Sequence, residues 1–211
     1  MPISEAYNID CMEAMKAFPD KHFELAIVDP PYGIKRAGQI ETFTKEKKHK
    51  RKHFDIKDWD NKTPNELYFD ELFRVSKNQI IWGANYFVNH LFSSMGWIFW
   101  DKGQDLSMSD GELAFTSFER ALRRIKINRG QLMIEGGTIH PTQKPIKLYK
   151  WLLTNYANKG DKILDTHLGS GSIRIASLDL GFDFYGYELD KDYFDAQEKR
   201  FNDHKMQLKL F

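Results

Sequence analysis

The sequence has a single cysteine, Cys11, among 211 residues, and it lacks any long apolar run. One cysteine excludes an internal disulfide and a cysteine-cluster metal site. No stretch approaches the roughly 18 apolar residues of a membrane span, and the N-terminal residues lack the apolar core of a signal peptide. We therefore expect an intracellular, cytoplasmic protein.

Net charge is also nearly absent, at +1, but the basic residues are unevenly distributed. Two basic clusters stand out, within residues 44–53 and 120–129. Most charge runs are simply solvated, yet two of them in a nearly neutral chain favour contact with a polyanion. The candidate nucleic-acid-binding residues are Lys47, Lys48, Lys50, Arg51, Lys52, Arg123 and Arg124.

Apolar runs and helical spacings alternate along the chain, which is typical of an α/β fold. Predicted strands cover residues 25–28, 79–82, 97–100, 113–116, 162–164 and 184–187. Predicted helices cover residues 11–17, 64–75, 146–156, 172–180 and 191–204. This order predicts one domain with a mostly parallel sheet and helices on both faces. The polar segment 33–62 is longer than an ordinary connection, so we expect a functional basic loop there.

The tetrapeptide Asp29-Pro30-Pro31-Tyr32 follows the first predicted strand directly. Two prolines forbid both a helix and continued ladder pairing, so the chain must leave the sheet in an extended form. Ligands of parallel sheets bind beyond the carboxyl ends of the strands. A carboxylate and a flat ring at this point are therefore candidate site residues.

A glycine-rich turn follows another strand, which ends at Asp165. Gly169 and Gly171 precede a helix, where glycines allow a tight turn and free N–H groups face outward. Glu188 ends the next strand, 23 residues after Asp165, where an acid can accept hydrogen bonds from both ribose hydroxyls. The turn matches neither a phosphate-binding loop nor the G-x-G-x-x-G fingerprint. These features together favour a ligand that contains a nucleoside.

With these blocks in this order, the chain resembles the DNA amino-methyltransferases, which methylate adenine N6 or cytosine N4 with S-adenosylmethionine. It is most similar to the permuted class, in which the catalytic motif precedes the cofactor motif. The resemblance rests on residues 8–33, 140–153 ("HPTQKPIKLYKWLL") and 163–172 ("ILDTHLGSGS"). It implies a Rossmann-like methyltransferase fold with a seven-stranded sheet, one catalytic domain over residues 1–211, and a small target-recognition element at 118–139.

The resemblance also implies a role for individual residues. The catalytic residues would be Asp29, Pro30, Pro31 and Tyr32. The cofactor-binding residues would be Asp10, Cys11, Lys144, Asp165, His167, Gly169, Ser170, Gly171 and Glu188. Asp10 and Cys11 would line the cofactor adenine, and Lys144 would lie near its carboxylate. Thr166 and His167 replace the proline and phenylalanine usual in this loop, and His167 could stack on the cofactor instead.

The tetrapeptide suits the chemistry of an amino group whose lone pair is conjugated into a base. Asp29 and the carbonyl oxygen of Pro30 could accept hydrogen bonds from its two N–H groups. Tyr32 could stack on the base once that base is flipped out of the duplex. Direct transfer then depends on proximity and requires neither a metal nor a covalent intermediate. Cytosine-C5 chemistry is disfavoured, because its nucleophilic cysteine would have to follow a proline loop.

We expect an adenine-N6 DNA methyltransferase that acts on duplex DNA, because the tetrapeptide begins with aspartate. Cytosine-N4 methylation of DNA and adenine-N6 methylation of RNA remain open, because the same mechanism serves both. A catalytically silent nucleic-acid-binding module is an alternative from a different class. A protein-glutamine methyltransferase is a further one, although its tetrad begins with asparagine.

Overall fold

The computed structural model describes residues 2–38, 53–103 and 109–208. Within these ranges the strands are β1 (Ser4–Tyr7), β2 (Phe23–Val28), β3 (Ser76–Trp82), β4 (Ile98–Asp101), β5 (Gly111–Thr116), β6 (Arg123–Lys126), β7 (Lys162–Asp165) and β8 (Asp183–Tyr187). The α-helices are α1 (Cys11–Lys16), α2 (Glu66–Val75), α3 (Gln131–Ile134), α4 (Ile146–Tyr156), α5 (Ser172–Leu180) and α6 (Lys191–Leu208). Over the same ranges, no helix is both long enough and apolar enough to cross a membrane.

The strands form a single sheet in the order β1-β8-β7-β2-β3-β5-β4-β6. Strand β5 pairs antiparallel with β3 and with β4, while the other five strand pairs are parallel. The prediction of an α/β fold with a mostly parallel sheet is confirmed. The predicted count of seven strands is one too low for the described residues, which form eight.

Two hydrophobic cores cover the two faces of the sheet, as β2 illustrates. Leu25 and Ile27 pack with residues of α4 and α5, whereas Ala26 and Val28 pack with residues of α1 and α2. Successive side chains of a strand point to opposite faces, so a strand that is covered on both sides needs a nearly continuous apolar run. The sequence "FELAIV" supplies that run.

Strands β1 and β6 were not predicted, because neither carries an apolar run. The sequence of β1 is "SEAY", and its residues alternate between half-buried and exposed beside β8. Strand β6 reads "RRIK" and lies at the edge of the sheet, where charged side chains discourage pairing with other chains. Together with α3, it comes from the predicted recognition element 118–139. A recognition role for that element stays a prediction.

Strands β2, β7 and β8 are neighbours in the sheet and run parallel. Their carboxyl ends therefore lie at the same edge. Asp29 follows β2 directly, Asp165 ends β7, and Glu188 follows β8. The fold thus brings together three acids that are far apart in the sequence.

Candidate active site

A cavity of about 540 Å³ opens at this edge of the sheet. The predicted site residues that line it are Asp10, Cys11, Asp29, Pro31, Lys144, His167, Gly169, Ser170 and Glu188. The other four predicted residues do not line it. Pro30, Asp165 and Gly171 are buried and adjoin lining residues in the sequence, and Tyr32 borders a separate groove. Segments from both ends and from the middle of the chain therefore build one site.

Glu188 holds the glycine loop in place. One carboxylate oxygen accepts the backbone N–H of Gly169 at 2.8 Å, and the other accepts that of Asp190 at 2.8 Å. Gly169 has a φ of +51° and Gly171 a φ of +68°, a left-handed backbone that favours glycine. A carboxylate has about four acceptor positions, so Glu188 keeps acceptor capacity for a ligand in the cavity.

Asp10, Cys11 and His167 form another part of the cavity lining, at the start of α1 and beside the glycine loop. The side chain of Asp10 caps α1 by accepting the N–H of Met12 at 2.8 Å, and burial raises the pKa of the Cys11 thiol to about 12. Burial also lowers the pKa of His167 to about 4, so its ring is neutral at physiological pH. A protonated thiol and a neutral ring present flat or compact surfaces to a ligand, not charge.

Lys144 forms the centre of a buried charge cluster. It is 3% exposed, and its Nζ bonds to a carboxylate oxygen of Asp29 and lies 3.1 Å from Glu112 Oε2. The second oxygen of Glu112 lies 2.8 Å from Nζ of Lys102. Two lysines thus balance two carboxylates. The resemblance implies a place for Lys144 near the cofactor carboxylate, and in the structure its ammonium lies at Asp29.

The two carboxylates of this cluster differ in their affinity for a proton. Burial raises the pKa of Asp29 above its usual range, and the Lys144 ammonium only partly counteracts this. Burial acts on Glu112 as well, but Lys144 and Lys102 together lower its pKa to about 2. Asp29 is therefore the carboxylate that protonates first as the pH falls, and Lys144 favours its ionised form.

Tyr32 connects the cluster to a second opening. Its hydroxyl donates to Asp29 Oδ1 at 2.6 Å, and its ring is parallel to that of Tyr86 at a centroid distance of 5.1 Å. Gly83, at a φ of +66°, packs so closely under the ring that any side chain there would collide with it. Tyr32 also borders an open groove of about 710 Å³, which residues 61–66 and His90 line as well. The tetrapeptide therefore separates the cavity from this groove.

Glu112 and Lys102 were not among the residues selected from the sequence. Both flank predicted strands, and both are more deeply buried than charged residues usually are: Lys102 is 8% exposed. The available signal was weak, because each is simply a charged residue near the end of an apolar run. Only the pairing of β4 with β5 brings them together.

The predicted nucleic-acid-binding residues are only partly described. Lys47, Lys48, Lys50, Arg51 and Lys52 lie outside the described residues. Arg123 and Arg124 are exposed on the edge strand β6, where Arg124 pairs with Asp101 at 2.6 Å. The DNA-binding role of all seven stays a prediction.

Known proteins resemble this chain in both sequence and fold. A family model for DNA methylases, N6_N4_Mtase, matches residues 81–199. The type II methyltransferase M.HinfI of Haemophilus influenzae is 23% identical over an alignment that covers 93% of this chain and 67% of that protein.

Two solved structures share the fold. The crystal structure of the M1.HpyAVI–SAM complex superposes with a TM-score of 0.64 at 19% identity, covering 94% of this chain and 98% of the other. The PvuII DNA methyltransferase, described as cytosine-N4-specific, gives 0.61 at 14% identity, covering 95% and 87%. The family model matches more than half of the residues, and on that match the chain belongs to the N6/N4 DNA methylase family.

Proposed function

We propose that this DNA methylase transfers the methyl group of S-adenosylmethionine to the N6 amino group of adenine. The position of Asp29 carries the proposal. Its carboxylate lines the cavity that Glu188 and the glycine loop also line, and it bonds to Tyr32, which borders the groove. A base that enters from the groove would place its amino group at the Asp29 carboxylate. A cofactor in the cavity would then lie next to that amino group.

The cavity suits S-adenosylmethionine. Glu188 would accept hydrogen bonds from the ribose hydroxyls, and the neutral ring of His167 offers a flat surface beside the glycine loop. Asp10 and Cys11 would line the adenine of the cofactor. The sulfonium of the cofactor supplies an electrophilic methyl group, so the protein has only to bind and align the two reactants.

Asp29 would act on the target amino group in two ways. As a carboxylate it accepts one N–H bond, while the carbonyl oxygen of Pro30 accepts the other, and both draw the nitrogen towards tetrahedral geometry. The nitrogen would then form its bond to the methyl carbon while the bond between that carbon and the cofactor sulfur breaks, so that the sulfur leaves as a neutral thioether and the nitrogen releases a proton. A carboxylate whose pKa is raised by burial is a better acceptor for that proton than an ordinary one.

Cytosine N4 is the second candidate target. Its amino group offers the same pair of N–H bonds, and the PvuII enzyme that shares the fold is described as cytosine-N4-specific. The aspartate at the start of the tetrapeptide favours adenine. In either case the base must leave the helical stack, since the amino nitrogen is otherwise buried in the duplex.

Sequencing DNA from cells that express the protein in a host without adenine methylation tests this choice. We expect N6-methyladenine at one short sequence and no N4-methylcytosine. Methylated cytosine at that sequence would instead establish the second candidate.

We predict that Glu188→Ala weakens binding of S-adenosylmethionine. Ribose hydroxyls that are left without a partner cost about 1–3 kcal/mol, which corresponds to a rise in Kd of roughly fivefold to 150-fold. Calorimetry gives the Kd, and thermal unfolding reports the loss of the bond to Gly169. Glu13→Ala, on an exposed position of α1, is the control. An unchanged Kd would mean that Glu188 supports the loop without contacting the cofactor.

The basic cluster in 44–53 is proposed to bind DNA phosphates, because lysines at this density offer point charges without a fixed geometry. Changing Lys47, Lys48, Lys50 and Lys52 to alanine should weaken binding of all DNA sequences alike. The dependence of affinity on salt should become less steep by about 0.9 for each phosphate that the variant no longer neutralises. An Arg123→Ala/Arg124→Ala variant tests the second cluster in the same assay. A changed methylation sequence would show that these residues bind bases instead.

A further inference from the structure

Asp60 supports the backbone of the tetrapeptide, although no motif marks it. It is 2% exposed, and its carboxylate accepts three backbone N–H bonds. Oδ1 accepts those of Tyr32 at 2.8 Å and Gly33 at 2.9 Å, and Oδ2 accepts that of Arg36 at 2.7 Å. The backbone carbonyl of Asp60 also accepts the N–H of Lys35 at 3.0 Å. One residue thus makes four hydrogen bonds to the chain that follows Pro31.

These bonds hold a backbone conformation that the loop would not favour alone. Gly33 has a φ of +71° and Lys35 a φ of +58°. A non-glycine residue in the left-handed region costs of order 1–3 kcal/mol and persists only where its surroundings hold it. Asp60 supplies these surroundings, and it thereby sets the backbone position from which Tyr32 reaches Asp29.

The residues just before Asp60 belong to the wall of the cofactor cavity. Asp58 and Trp59 line the cavity, and the Trp59 ring lies 5.2 Å from the ring of His140. Lys57 forms an ion pair of 2.7 Å with Asp190, which lies just after the end of β8. The segment 57–60 therefore contacts the cavity and the tetrapeptide at once.

We propose that Asp60 is a positioning residue for methyl transfer, which fixes Tyr32 against Asp29 and ties the tetrapeptide to the wall of the cofactor cavity. The inference rests on the proposed role of the tetrapeptide in binding the target amino group, and it holds whether that base is adenine or cytosine. Asp60 does not itself line the cavity, and Glu188 and the glycine loop keep their own contacts without it. Its loss should therefore affect the transfer step more than cofactor affinity.

Two substitutions of Asp60 should lower the rate of methyl transfer by different amounts. Asparagine keeps one oxygen for Tyr32 and Gly33 but turns an NH₂ group towards the N–H of Arg36, whereas alanine removes every side-chain bond. Displacement of a catalytic group by about 1 Å can cost roughly 100-fold in rate. We expect single-turnover rates about 100-fold lower for Asp60→Ala and about tenfold lower for Asp60→Asn. Calorimetry should find the Kd for S-adenosylmethionine within about threefold of the wild-type value.

Asp55→Asn is the matched control, because Asp55 precedes Asp60 by five residues and its side chain is 84% exposed. We expect it to leave rate, Kd and unfolding temperature unchanged. An unchanged rate in both Asp60 variants would overturn the proposal. So would a loss of cofactor affinity equal to the loss of rate, which indicates a purely structural role. Asp60→Asn decides the test if the alanine variant does not fold. The methylated base made by the wild type is identified separately, so failure of the adenine proposal is recognised independently.

Discussion

Replacement of Asp29 by alanine should lower the rate of methyl transfer about 100- to 1,000-fold, while the affinity for S-adenosylmethionine stays near that of the wild type. Asp29 is expected to polarise the target amino group, and removing one such preorganised group typically costs about 100- to 1,000-fold in kcat. The cofactor contacts proposed for Glu188 and the glycine loop lie on other strands and survive the change. Radiolabelled methyl transfer to DNA measures the first quantity, and calorimetry the second.

Two further variants make this result interpretable. Asp29→Asn keeps the size of the side chain and one acceptor oxygen, so it should fold well. It should still lose most activity, because an uncharged amide is a poor acceptor for the proton that the nitrogen releases. Asp70→Asn, at an exposed position on α2, should behave as the wild type. Turnover that persists in both Asp29 variants would rule out the proposed mechanism.

Lys144→Met should be the most destabilising single change in the site. Removing one partner of a buried ion pair costs about 3–5 kcal/mol, because the other charge stays buried without compensation. Glu112 keeps Lys102 as a partner, so the uncompensated charge is that of Asp29. A double variant, Asp29→Asn/Lys144→Met, should therefore recover part of the lost stability. Chemical unfolding of the three variants measures the free energies, and Lys147→Met, exposed on α4, is the control.

Lys144→Met should also change how activity depends on pH. Asp29 must be ionised to accept the amino N–H bond, so activity is lost as the pH falls through its pKa. Lys144 lowers that pKa and the charge of Glu112 raises it. Lys144→Met should therefore move the acidic limb of the pH–rate profile to higher pH, and Glu112→Gln should move it to lower pH. The other groups that face Asp29 here, Tyr32 among them, are unchanged. An acidic limb that stays in place in both variants would contradict control of Asp29 by this cluster.

Local pattern predicted one part of the site, and the family resemblance predicted residues such as Cys11 and Lys144. Asp29 and Glu188 each follow an apolar run, and a parallel sheet brings the carboxyl ends of its strands to one edge. The cavity at that edge contains most of the residues that were predicted to bind the cofactor.

The parts that sequence reasoning missed depend on pairing between distant segments. Asp60 and the backbone of Tyr32 are 28 residues apart, and nothing near Asp60 distinguishes it from neighbouring acids such as Asp58. Glu112 becomes a site residue only because β5 runs antiparallel between β3 and β4. Strand β6 was interpreted as a charge run, because an exposed edge strand carries no apolar alternation. These residues have their places in the sheet and the site because of tertiary contacts, which local propensity does not predict.

Mass spectrometry of the methylated nucleoside identifies the target base and tests the role of Asp29 in one experiment. Purified wild-type and Asp29→Ala proteins would be incubated with duplex DNA and S-adenosylmethionine that carries a deuterated methyl group, and the DNA digested to nucleosides. We predict deuterated N6-methyladenine from the wild type and, at the same reaction time, at least about 100-fold less of it from Asp29→Ala. Label found only in N4-methylcytosine, or equal amounts of labelled adenine from both proteins, would contradict an adenine methyltransferase that acts through Asp29.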